Sequence, residues 1–103
     1  MVQGIGMALI EAPTIGKNGK VLSESFMQYK IPSRLDVPAP RVAFEESHDP
    51  TGPFGAKSIG EVVINTPSPA IVSAIMNAVG AEVSSLPATA EKIFWSLQKA
   101  GKK

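Results

Sequence analysis

Apolar positions along the chain recur at helical spacing near its start and over its last third, and at strand spacing between. Ile5, Ala8 and Leu9 follow the i, i+3, i+4 rule, and Ile71, Val72, Ile75, Met76 and Val79 repeat it more fully. A later helical stretch puts Ile93, Phe94 and Leu97 on one side, with Trp95 on the flank. In between, Val21 to Ile31 reads as extended, with Leu22, Phe26, Tyr29 and Ile31 available for burial. Arg41 to Ser47 alternates more cleanly, Val42 and Phe44 on one face and Arg41, Ala43 and Glu45 on the other, and Val83 to Leu86 reads as a short extended piece. The order helix, extended pair, strand, loop, helix, helix predicts an α+β fold, a small two-layer unit of about three helices and two to three strands.

Residues that start and stop elements sharpen this reading. The first helix has no Ser, Thr, Asp or Asn ahead of its periodic residues, so it starts without a cap. Pro13 and Gly16 end it, and Lys17-Asn18-Gly19-Lys20 carries the Asn-Gly pair favoured in tight turns. Pro32, Pro38 and Pro40 keep their neighbours out of helical geometry. Ser68-Pro69 predicts a capped helix opening, Gly80 its stop, and Thr89 the cap of a last helix running to Gln98 with Glu91 near its positive end. Lys102 and Lys103 read as a solvated tail.

Composition narrows the classes. With 103 residues and 44% hydrophobic content the chain is expected to form one domain, 1–103. Ten basic and nine acidic residues leave a net charge of +1, which gives no electrostatic reason to expect nucleic acid or an anionic membrane as partner. There is no cysteine, hence no disulfide, thiolate metal site or iron–sulfur cluster in this chain, as suits a cytoplasmic protein. No uninterrupted apolar run approaches the ~18 residues of a membrane span, and the start lacks the pattern of a signal peptide, so a soluble, unprocessed chain is expected.

Chemistry concentrates in Gly52-Pro53-Phe54-Gly55-Ala56-Lys57-Ser58-Ile59-Gly60-Glu61. Its glycines and proline allow a closely folded backbone, and it delivers a carboxylate where the extended pattern turns helical. Ile59, Val62, Val63 and Ile64 surround Glu61 in sequence; if they pack, the carboxylate is partly desolvated and suited to act as a general base. The plain alternative is a solvent-facing glutamate that complements a helix dipole. A phosphate loop is excluded, because Glu61 stands where that motif needs lysine. His48 is the only histidine, and one histidine without cysteines does not make a zinc site, so no metal ligand is assigned.

Four stretches in order, Gln3-Gly4-Ile5-Gly6-Met7-Ala8-Leu9-Ile10-Glu11, Tyr29-Lys30-Ile31-Pro32-Ser33, Gly52 to Glu61, and Leu86-Pro87-Ala88-Thr89-Ala90-Glu91-Lys92, resemble the carboxyl-terminal end of the molybdenum-binding subunit of the xanthine dehydrogenase and aldehyde oxidase family. The resemblance runs from residue 2 to about residue 94. It implies that the chain begins inside a longer helix, that Gln3 lies against the molybdopterin cofactor, and that Glu61 is the general base in hydroxylation of an electron-poor carbon. On an open helix Gln3 could equally be solvated. The sequence departs from the family at Val62 and Val63, where two prolines commonly follow the glutamate, and at Ser58, usually glycine or alanine.

The resemblance further implies a molybdenum–molybdopterin cofactor in a complemented enzyme, none being expected on the isolated chain. The implied partners are the missing part of the molybdenum subunit and the iron–sulfur and flavin subunits. Two readings stand: a catalytic-base segment of a split or truncated molybdenum hydroxylase, or an orphaned remnant without activity that self-associates as a homo-oligomer.

Overall fold

The structure is a computed structural model and describes residues 1–101; the Lys102–Lys103 tail expected above lies outside them. Its helices are α1 (Val2–Leu9), α2 (Val62–Asn65), α3 (Pro67–Val79) and α4 (Ala90–Ala100), with one 3-10 turn at Pro53–Gly55. Thr66 keeps helical backbone between α2 and α3, so these two run on as one rod.

The expected α+β architecture is not found. Among the described residues there is no strand or sheet; the single isolated bridge, Ile15 to Val21, closes the Asn18-Gly19 turn. That turn forms as its residues require: Gly19 adopts φ 79° and its N–H donates to the Gly16 carbonyl, while the Lys20 N–H donates to Asn18 Oδ1. No ladder follows it. Val21–Ile31 and Arg41–Ser47 are irregular, and Val42 and Phe44 are exposed. Alternation marks two faces, but a strand also needs a neighbour to satisfy its backbone, and none of the described segments serves. Val83–Leu86 is irregular as well.

The boundaries at Gly80 and Thr89 follow the sequence, whereas α1 ends at Leu9, short of the expected stop at Pro13 and Gly16. Thr89 Oγ1 accepts the Lys92 N–H at 3.4 Å and caps α4, which has Glu91 in its first turn and Lys99 in its last. Gly80 ends α3 in the left-handed region at φ 66°. Ser68, expected as a cap, is instead the second residue of α3. Its hydroxyl donates to the Gly4 carbonyl of α1 at 3.2 Å.

That bond belongs to a tight junction around α1. α1 is buried through its small residues, Gly4, Gly6 and Ala8, while Ile5 and Leu9 are half-buried. A side chain at Gly4 would stand 2.8 Å from Pro67 Cγ and 2.9 Å from the Ile64 carbonyl, so only glycine lets α1 lie on the α2–α3 rod. The Ala88 N–H donates to the Ala8 carbonyl at 2.6 Å, bringing the buried Ala81, Val83, Pro87 and Ala88 against the end of α1. We expect Gly4→Ala to lower thermal stability. Alanine's gain in helix propensity, about 1 kcal/mol, is smaller than the ~1–3 kcal/mol cost of overpacking against backbone and a proline ring. Differential scanning of the chain assembled with its complementing segment checks this, and an unchanged or raised midpoint would count against the junction.

Little else is buried. The core consists of Ala8, Ala81, Val83 and Ala88, and no large side chain is fully enclosed. The accessible surface is 8520 Å², against about 5,500 Å² for a folded monomer of this mass. The radius of gyration is 17.9 Å, where a compact chain of this length has about 13 Å. The Val62–Val79 run has a mean hydropathy of 1.4 over 18 residues and none of it is fully buried; by length and composition alone it could cross a membrane. Ile71, Val72, Ile75, Met76 and Val79, the expected stripe, are half-buried along it. Phe94 and Trp95 of α4 meet edge to face, ring centres 5.2 Å apart, and both are exposed.

Candidate active-site segment

The loop before Glu61 is braced from within. Lys57 Nζ donates to Ser47 Oγ at 2.8 Å across its base. Asp49 Oδ1 accepts from the Thr51 N–H at 2.9 Å and the Thr51 hydroxyl at 2.8 Å, and these bonds hold the carboxyl below the usual carboxylate range. The backbone closes the turn further: Asp49 N–H to the Gly55 carbonyl, Gly52 N–H to Asp49, Gly55 N–H to Gly52 and Ala56 N–H to Pro53. The His48 ring lies against Gly55, which takes φ 80°. Among the described residues no group of three or more His, Cys, Asp or Glu could hold a metal ion.

Glu61 sits at the N-cap of α2. Its carbonyl accepts from Ile64 and Asn65, but its carboxylate makes no capping bond. The side chain is exposed, and so are Ile59, Val62 and Val63. The apolar shield expected around the carboxylate is therefore not closed by this chain. Gln3, in the first turn of α1, is also exposed. The junction places Gly4, next to Gln3, on Ile64, in the helical turn that Glu61 opens, and on Pro67, which begins α3. Neither residue lines the surface grooves described, of which the broadest, about 720 Å³, is bounded by Val2 and residues 32–40.

The Tyr29-Lys30-Ile31-Pro32 passage has a structural role that periodicity did not signal. Tyr29 donates its phenol hydrogen to Glu11 Oε2 at 2.9 Å, and Pro32 and the Glu11 carboxylate both close over Gly6. The bond to Glu11, then burial, then charge repulsion with Glu11 push the Tyr29 phenol above its ordinary value. A raised pKa means that the contact contributes fully below the unfolded value of about 10 and is lost as pH rises through the folded one. Tyr29 is the chain's only tyrosine. Its absorbance titration is expected to run above that of free tyrosine and to move back toward it in Glu11→Gln; a midpoint indifferent to that substitution would remove the contact.

Comparison with known proteins decides what this arrangement belongs to. A family model described as a molybdopterin cofactor-binding domain matches residues 1–38. The gamma subunit of the 6-hydroxypseudooxynicotine dehydrogenase complex of Paenarthrobacter nicotinovorans is 39% identical over 104 aligned residues, covering 98% of this chain and 13% of that protein. A putative xanthine dehydrogenase molybdenum-binding subunit of Escherichia coli is 35% identical over 98% of this chain and 14% of its own length. The chain belongs to the xanthine dehydrogenase and aldehyde oxidoreductase family. The crystal structure of quinoline 2-oxidoreductase from Pseudomonas putida 86 shares its fold, with a TM-score of 0.85 and 32% identity over 95% of this chain and 13% of that one. The chain thus spans 13–14% of the length of these relatives.

Proposed function

We propose that this chain is the segment of a molybdenum hydroxylase that supplies the general base for hydroxylation of an electron-poor carbon, with Glu61 as the base and Gln3 against the pterin. The observation that carries the reading is the family match over nearly the whole chain, which takes in both residues. The geometry supports it in that the Glu61 carboxylate is not consumed by capping. The Gln3 amide, exposed one turn into α1, offers donors and an acceptor.

These residues fit the cofactor as contributors and not as its enclosure. A pocket for a large organic cofactor must cover most of its surface, and neither Gln3 nor Glu61 lines a groove of this chain. The molybdenum–molybdopterin group, when held by the assembled subunit, supplies the redox chemistry. Glu61 takes up a proton at its carboxylate.

The remaining molybdenum-subunit segment is the first partner required, with iron–sulfur and flavin subunits and a cytoplasmic location as further parts of the proposal. One relative is itself named as a subunit of a dehydrogenase complex, which supports assembly with other chains. A second reading, self-association without catalysis, is favoured by the unburied apolar surface. Molybdenum and pterin content of the chain co-purified with its complementing segment separates the two, and turnover of Glu61→Gln then tests the base.

A further inference from the structure

The two most exposed large apolar side chains of this chain are not on its loosest segments. Phe54 is wholly exposed and Leu35 is 97% exposed. Phe54 stands at the tip of the braced 47–57 loop with φ 53° and ψ 24°, left-handed backbone that costs a non-glycine residue energy and persists only where its surroundings impose it. Here the impositions are visible: the Lys57–Ser47 bond, the Asp49–Thr51 bonds and the backbone turn through Gly52, Gly55 and Ala56. Leu35 is displayed in the same manner. Asp36 Oδ2 accepts from the Ser33 N–H at 2.8 Å and the Ser33 hydroxyl at 2.6 Å, the Asp36 N–H donates to the Ser33 carbonyl, and Ser33 Oγ takes the Leu35 N–H. By contrast Phe44, 78% exposed, lies on a stretch without such bonds among the described residues.

Holding an apolar side chain rigidly in water gains nothing for the chain itself. It lowers the entropy cost of docking, which is why interfaces place their strongest contacts on preorganised aromatic anchors. Relatives of this chain extend over some seven times its length, so apolar sockets on the remainder of the molybdenum-binding subunit are the natural receivers. We propose that Phe54, assisted by Leu35, is an anchor that seats the loop in an apolar socket of that remainder, and that Phe54 is thereby a positioning residue for Glu61. The inference rests on the reading of the chain as part of a larger molybdenum-binding unit. Seating Phe54 fixes one end of the short glycine-containing path to Glu61, whose other end is fixed by the α1 junction.

The test uses the assembled, cofactor-loaded enzyme. A photoreactive benzoylphenylalanine in place of Phe54 is expected to crosslink to the remainder of the molybdenum-binding subunit. Crosslinking to a second copy of this chain, or to nothing, overturns the proposal. Phe54→Ala is expected to raise amide hydrogen exchange over residues 55–61 and lower kcat, each by about tenfold or more, with KM and molybdenum content unchanged and Phe54→Tyr restoring both. Phe44→Ala is expected to stay within about twofold of the parent. Exchange in Phe54→Ala equal to the parent, or a Phe44→Ala effect as large, overturns the anchor. Full turnover in Glu61→Gln would instead remove the proposed base while leaving the crosslink and exchange results as they stand.

Discussion

Glu61→Gln in the assembled enzyme is expected to lower kcat by about 10²–10⁴-fold, the usual worth of a positioned general base, while molybdenum and pterin content stay at the parent level. Glutamine keeps the size and one acceptor oxygen of glutamate but cannot take up a proton near neutral pH. The substitution should therefore leave folding alone: the Glu61 backbone carbonyl, which accepts from Ile64 and Asn65, is untouched, and its side chain caps nothing. Steady-state kinetics with metal analysis decide the matter. Turnover equal to the parent would show that another group is the base, and a loss of metal would show that Glu61 serves the architecture.

The second large effect concerns the chain by itself. Separated from a larger body, it is expected to self-associate in a concentration-dependent way and to bind a hydrophobic dye. About 3,000 Å² of surface beyond that of a folded monomer of its mass is the amount an obligate interface covers, typically about 2,000–5,000 Å². What buries the chain's own apolar area is four small or β-branched side chains, Ala8, Ala81, Val83 and Ala88. Too little apolar area is withdrawn there to offset the entropy of ordering the chain. Sedimentation velocity over a range of concentrations checks this. A monodisperse monomer with a cooperative unfolding transition would overturn it.

The parts of this fold that sequence discloses are the parts decided locally. Thr89 announces α4 because a cap is a bond between residues three apart, and Gly80 and Gly19 announce a stop and a turn because their backbone angles suit glycine. The two strands failed for the complementary reason. The alternation at Val42 and Phe44 records which face seeks burial, not whether anything within these residues provides it, and both are left in solvent. Ser68 carried a cap's residue type but spends its hydroxyl on Gly4, a partner far away in sequence. The junction of α1 was hidden most deeply, since Gly4, Gly6 and Ala8 carry almost no hydropathy signal and matter through how near they let other backbone come.

The candidate site divides in the same way. The resemblance assigned Gln3 to the cofactor and Glu61 to the base, and in the fold Gly4, beside Gln3, packs on the turn that Glu61 opens. The hydrophobic cover foreseen from Ile59, Val62, Val63 and Ile64 is not closed: the first three are exposed and only Ile64 is half-buried. Phe54 gave no sign at all: nothing in Gly52-Pro53-Phe54-Gly55 requires that the aromatic residue, flanked by glycine, take the left-handed angle. Only Asp49-Pro50-Thr51 hinted at bracing, as a side chain able to bond its own backbone two residues on.

The first helix receives hydrogen bonds from Ser68 and from Ala88, so its carbonyls fasten the start of α3 and the segment that leads into α4. Losing both bonds would free α1 from α3 and from the Ala88 segment at one stroke, and with it the packing of Gly4 on the turn that follows Glu61. The placement of the Glu61 turn, more than fifty positions downstream, thus depends on how closely α1 lies on α2 and α3.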